Sequence, residues 1–186
     1  IQKLSTTTEG NELGISVTNW SSGGNEGHRR GASKWLSGSD DFIGFSEEQG
    51  AKLAEAVSVS RPINVPVHRG VKLEGTSIDT AESMYKVGAK TDMQISSFST
   101  DADIAERFAG RGLSNTTTSV VLNVESGAKG LNISPISSYL TEKERILHGR
   151  FEVIKVHREI GQFSDGAHNV LHVDIRQINN FVREAR

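Results

Sequence analysis

A chain of 186 residues has the length of one domain with a single buried core, and no apolar run approaches the ~18 residues a membrane-crossing helix needs. With a net charge of −2 and 24% charged residues, composition announces no basic surface for nucleic acid or anionic lipid, so both partners are disfavoured. The sequence holds no cysteine, which excludes disulfides, thiolate metal sites and cysteine nucleophiles.

The chain opens at Ile1 without a basic-then-apolar signal segment, so it is expected to be a processed protein or a domain of a longer one. Residues 1–25 are rich in Ser, Thr, Gly and Asn and lack sustained periodicity, and they read as a lead-in with at most short structure around Ile15, Val17 and Trp20. A helix is predicted from Glu26 to Leu36, with Trp35 and Leu36 inward and Gly38 ending it. Ser46-Glu47-Glu48-Gln49 has the capping-box pattern, and Leu53, Ala54 and Val57 continue one apolar helical face.

After Arg61-Pro62 the texture turns to strand, with Val65, Val67 and Val71 alternating against Pro66, His68 and Gly70. Asp79 to Val87 reads as a helix carrying Ala81, Met84 and Tyr85 on one side. Met93 to Phe98 reads as a strand, and Asp101 caps a short helix through Phe108. Strands are predicted at Ser119–Val124, Arg145–His148, Phe151–His157 and Val170–Ile175. Helices in front and short strands behind, with no repeat and no long linker, give an α+β chain whose residues 1–186 form one domain.

Four weak signals carry candidate chemistry. In Tyr139-Leu140-Thr141-Glu142-Lys143-Glu144, extended backbone would put Glu142 and Glu144 on one face, where paired carboxylates can divide base and electrostatic roles. Alternation sets Arg69 on the face of Val67 and Val71, so its guanidinium needs an anion or several acceptors. Ser97 and Ser99 share a strand face, with Thr100 and Asp101 opening the next helix. Phe108-Ala109-Gly110-Arg111-Gly112 sets an aromatic ring and an arginine beside a flexible loop. Taken singly, each has a bland alternative: a solvated strand edge, a snorkelling arginine, helix caps and an ordinary helix end.

Their order along the chain resembles the bacterial toxin-type mono-ADP-ribosyltransferases of the Arg–Ser–Glu class, over roughly Val65 to Val156. Arg69-Gly70 looks like that family's first-strand arginine. Ser97-Phe98-Ser99-Thr100 resembles its Ser-Thr-Ser element, with either Ser97 or Ser99 matching the first serine. Phe108-Ala109-Gly110-Arg111 is similar to the loop that grips nicotinamide and phosphate in clostridial members. Tyr139-x-x-Glu142-x-Glu144 has the spacing of the toxin turn loop, in the Glu-x-Glu form of the arginine-modifying branch.

The resemblance implies a fold of two small perpendicular β-sheets flanked by N-terminal helices, with NAD, as substrate, in the cleft between the sheets. It implies transfer of ADP-ribose to arginine on a target protein by a secreted or delivered toxin or effector acting in the cytoplasm of a target cell, with an immunity protein if the toxin acts on its own kind. Glu144 would stabilise the oxocarbenium-like cation and hold the ribose; Glu142 would polarise the incoming guanidinium. Arg69 and Arg111 would hold phosphate groups, Ser97 or Ser99 would orient Glu144, Phe108 would pack on nicotinamide, and Tyr139 would meet the target. Gly70 and Thr100 complete the expected NAD-binding set. The alternatives are an NAD glycohydrolase and an NAD-binding module without turnover.

No metal is needed by this chemistry. His168 and His172 stand four apart, but on a strand that spacing spans ~13 Å, too far for one ion. His148 and His157 have no partner that the sequence identifies. No Gly-x-Gly-x-x-Gly or P-loop sequence is present, so the NAD would not sit on a Rossmann fingerprint.

Overall fold

The structure is a computed structural model that describes residues 8–21, 25–110, 116–137 and 139–185. Its first element overturns the expected irregular lead-in: α1 (Thr8–Ser21) is a helix of 14 residues. Leu13, Val17 and Trp20 recur at helical spacing, and that stripe supplies the burial that the Ser/Thr/Asn/Gly composition hides. Val17 and Trp20 are fully buried, whereas Ile15 stands half exposed.

Two helices follow as expected, α2 (Glu26–Leu36) and α3 (Phe45–Ser58). The expected capping box at Ser46 does not form, because the helix starts at Phe45 and Ser46 lies within it. Gly44 occupies the N-cap, but Glu47 reaches back to the Ile43 backbone N–H at 2.8 Å. The same buried carboxylate takes Lys34 Nζ at 2.7 Å and Arg30 Nε at 3.2 Å from α2, so one side chain ties the two helices together.

The sheet is built from β1 (Val67–Glu74), β2 (Lys90–Ser99), β3 (Thr117–Val124), β4 (Leu131–Asn132), β5 (Glu144–Phe163) and β6 (Gly166–Asn179), in the order β2-β1-β3-β6-β5-β4 with a further β2–β5 pairing. The chain is therefore α+β with helices leading, as expected, and the two expected small sheets are continuous through β5. Near its start β5 pairs with β2 and β4; beyond Gly149 it runs antiparallel to β6, as Arg150↔Asn179 through Phe163↔Gly166.

The separately expected strands Arg145–His148 and Phe151–His157 are thus one strand, irregular where it changes partners. Gly149 sits at that change with φ of 141°, and a Cβ there would lie 2.3 Å from the Asn179 carbonyl oxygen, so glycine alone fits.

Two shorter helices complete the fold. In α4 (Ile78–Met84) Ala81 is buried, but Met84, expected inward, is 58% exposed because the helix ends there. α5 (Ala102–Gly110) begins where Asp101 Oδ1 accepts the Asp103 N–H at 3.1 Å, and it runs two residues past the expected end.

The core has two main parts. One lies among Val67, Phe98, Leu122, Leu147, Phe151 and Val173 of the strands. The other seats α1–α3 on Ile95 and Ile146 through Trp20, Leu53 and Val57. A smaller cluster packs α5 on Val121 and Val170.

Candidate active site

The site forms at the edge of the helix-covered core, where β2 and the start of β5 run side by side. Ser99 pairs directly with Glu144, and the pleat puts Ile95, Ser97, Ser99, Glu144 and Ile146 on the face toward the helices. The deeper members of that row are apolar and buried. Its upper members are polar and face a cavity of about 590 Å³, within the ~300–1,000 Å³ usual for small-molecule sites.

Glu144 is 6% exposed, and both of its carboxylate oxygens are engaged. Ser97 Oγ donates to Oε1, and Ser137 Oγ donates to Oε2 at 3.1 Å. Ser97 is oriented in turn by the Trp20 indole, whose Nε1 donates to Ser97 Oγ at 2.8 Å. Ser137 accepts the Tyr139 backbone N–H at 3.1 Å. A buried carboxylate held in this way has a fixed direction, and its charge is solvated by hydroxyl dipoles instead of water.

Between the two glutamates the backbone is not extended. Leu140–Glu142 form a 3-10 turn, and Lys143 takes the left-handed conformation at φ 48°, turning the chain into β5. The shared strand face predicted from their spacing is therefore not how the pair meets, yet Glu142 and Glu144 both line the cavity. Ser99 fixes this turn, because its hydroxyl donates to the Glu142 carbonyl at 2.6 Å. The Thr100 N–H reaches the Lys143 carbonyl at 3.4 Å, so Thr100 braces the same turn and is not itself on the cavity lining. The two serines, interchangeable in the sequence, thus differ: Ser97 touches the Glu144 carboxylate and Ser99 the Glu142 backbone.

Arg69 enters from β1. Its Nη1 donates to the Ser97 carbonyl at 2.8 Å. Burial lowers its pKa from the ordinary arginine value; neighbouring Arg29 acts in the same sense and Glu144 in the opposite one. Arg29 lies 5.7 Å from the Trp20 ring centroid, a second cation near the same cavity. Gly70 lets α5 reach β1, since a Cβ there would lie 2.0 Å from the Ala105 carbonyl oxygen. That close packing brings Phe108, 38% exposed, to the cavity wall, with Tyr139, 52% exposed, at its mouth.

Of the residues singled out from sequence, Arg69, Gly70, Ser97, Ser99, Phe108, Tyr139, Glu142 and Glu144 line one cavity. Arg111 lies outside the described residues. His68 touches the cavity, but its ring turns away to Asn123 Oδ1 at 2.7 Å.

Sequence reasoning does not reach Trp20, Ser137 and Arg29. The Leu13/Val17/Trp20 spacing could have disclosed Trp20 by disclosing α1. A lone loop serine and a helical arginine carry no such signal.

No family model and no curated protein matches this sequence. Solved structures do match. The ADP-ribosyltransferase Vis from Vibrio splendidus, solved with agmatine, is 17% identical, with a TM-score of 0.63 over 90% of this chain and 74% of that one. An ADP-ribosyltransferase from Clostridium botulinum is 13% identical, with a TM-score of 0.58 over 95% of this chain and 90% of that one. The ADP-ribosylating toxin of a binary enterotoxin of C. perfringens, solved with NADH, is 13% identical, with a TM-score of 0.55 over 91% of this chain and 43% of that one. The chain has the fold of these ADP-ribosyltransferase toxins.

Proposed function

We propose that this chain is a mono-ADP-ribosyltransferase of the Arg–Ser–Glu class, which transfers ADP-ribose from NAD to an arginine of a target protein and releases nicotinamide. The observation that carries the reading is the doubly hydrogen-bonded Glu144 carboxylate, buried in the same cavity that holds Arg69 and Glu142. The fold shared with the Vibrio splendidus and clostridial enzymes supports it.

NAD suits the cavity's chemistry. Arg69 supplies a cation for the diphosphate, Phe108 an aromatic surface for nicotinamide, and the Glu144 carboxylate an acceptor for a ribose hydroxyl. As the bond from ribose to nicotinamide breaks, positive charge grows on the sugar, and the fixed carboxylate of Glu144 stabilises it. Because Ser97 and Ser137 already orient that carboxylate, little reorganisation is needed during the reaction.

Arginine's guanidinium is a poor nucleophile while protonated. Glu142, at the cavity wall beside exposed Tyr139, is placed to draw off its proton as the N–C bond forms. That Vis was solved with agmatine, a guanidine compound, favours the arginine acceptor. The enzyme would be secreted or delivered into a target cell, with residues 1–186 acting as one catalytic domain.

The deciding experiment gives labelled NAD and target-cell lysate to the protein and identifies the modified side chain by mass spectrometry. Label is expected on arginine. Glu142→Ala should abolish transfer while leaving NAD hydrolysis, and Glu144→Gln should lower both about 10²–10³-fold. Full transfer by Glu144→Gln would overturn the reading. NAD binding with neither reaction would replace it with a binding module, and hydrolysis without any acceptor would replace it with a glycohydrolase.

A further inference from the structure

On the face of the sheet that carries α5, cross-strand pairs line up Gly70, Val121, His172 and His157 in one row. α5 covers the Gly70 and Val121 end of that row. At the other end two imidazoles meet across β5 and β6, and Glu159 adds a carboxylate two residues beyond His157 on the same face. His157 Nε2 lies 2.8 Å from Glu159 Oε1, and His172 Nε2 lies 3.3 Å from Glu159 Oε2. All three donor atoms fall within 4.8 Å of one another. A tetrahedral ion with arms of ~2.0–2.1 Å holds its donors ~3.3 Å apart, a span that a cluster within 4.8 Å reaches with small side-chain shifts.

An ion pair alone accounts poorly for this cluster. Glu159 faces both rings, and their centroids stack at 5.2 Å, so two imidazoliums would repel each other. His172 Nε2 is buried and makes no hydrogen bond of sound geometry, although a carboxylate oxygen stands close by.

We propose that His157, Glu159 and His172 bind a divalent transition-metal ion of the zinc class, pinning β5 to β6, with water as the fourth ligand. The set of two imidazoles and one carboxylate is one that zinc accepts. Coordination through Nε2 would leave Nδ1 of His172 turned toward the Asn123 side chain, 3.3 Å away. The ion lies outside the Glu144 cavity and takes no part in the proposed transfer, so the site stands or falls separately from that reading.

The test uses the whole chain, freed of metal with a chelator and titrated with Zn²⁺ in a calorimeter, and with Co²⁺ for its visible ligand-field absorption. With no cysteine in the sequence, thiolates cannot compete. One equivalent should bind, raise the thermal midpoint and give tetrahedral-type Co²⁺ absorption. Glu159→Gln and His172→Ala should each weaken binding about tenfold or more. His168→Ala, at an exposed histidine that pairs with Asp165, should bind as the wild type does. If His172→Ala fails to fold, Glu159→Gln decides, because Glu159 is at the surface. Absence of binding at saturating metal, or undiminished affinity in Glu159→Gln, overturns the proposal.

Discussion

The two halves of β5 use polar residues in opposite ways. From Glu144 to Gly149 the strand is flanked by β2 and β4; Glu144 and His148 are buried there, and Arg145 is half-buried. Beyond Gly149 the strand runs beside β6 and carries its charges outward, as in Arg150–Asp92, Arg158–Asp79 and Arg176–Glu152. Buried polar groups must have their partners supplied by the fold, whereas exposed ones can fall back on water. The near half should therefore tolerate little change in chemistry, and the far half should tolerate much.

The largest expected contrast is in turnover. Glu144→Gln keeps the shape but removes the charge, and it should lower transfer about 10²–10³-fold, the scale of losing one preorganised electrostatic group. Glu152→Gln in the far half should leave turnover at the wild-type level. Initial rates with labelled NAD check both. Equal losses in the two variants would erase the distinction between the halves.

Next in size is a dependence on acid. His148 is fully buried beside Phe181, and desolvation pushes its pKa down to about 4. The folded protein therefore keeps this ring neutral at pH values where the unfolded chain, near 6.5, already takes the proton. Stability from this source is complete above about pH 6.5, is lost as pH falls toward about 4, and amounts to at most ~3 kcal/mol. Glu47, held down to about 2 first by the Ile43 N–H and then by Lys34, adds a loss only in stronger acid, as pH falls from about 4.5 through 2. Urea midpoints from pH 7 to 4 measure the histidine effect. An unchanged slope in His148→Leu would assign it elsewhere, with His28 the first candidate because burial lowers its pKa too.

A third, smaller effect isolates the positioning of Glu144. Ser137→Ala removes one charge-assisted hydrogen bond and leaves Ser97 in place, so turnover should fall about tenfold with KM for NAD little changed. A change confined to KM would make Ser137 a binding residue instead.

These contrasts also show what sequence alone discloses. Arg69, the two serines and the two glutamates can be picked out because their types and order are constrained by chemistry; alternation on strands places Arg69 and the serines, whereas the glutamates meet through a 3-10 turn that alternation does not describe. The difference between Ser97 and Ser99 was not legible, because it depends on the Lys143 left-handed turn and the β2–β5 register, both tertiary outcomes. Helix α1 was obscured by composition, since a stripe of three apolar residues among Ser, Thr, Asn and Gly gains its stability from packing and not from propensity. The histidine pair of β5 and β6 escaped for the same reason as the serines. His157 and His172 are fifteen positions apart and meet only through the hairpin register, while the sequence-near His168 and His172 are the pair that strand geometry separates.

The smallest expected effect tests the outer half directly. Arg158 reaches from β5 to α4, where it meets Asp79 at 2.5 Å and also contacts Glu82, a geometry that looks stabilising on distance alone. All three side chains are substantially exposed, so water and salt compete for each charge, and ordering three long side chains costs entropy. Arg158→Ala should thus leave turnover unchanged and the thermal midpoint nearly so, with raised salt shifting the wild type as little as the variant. Should it instead unfold the protein, α4 would depend on this arginine for its attachment to the sheet. The far half of β5 would then be as tightly specified as the half that carries Glu144.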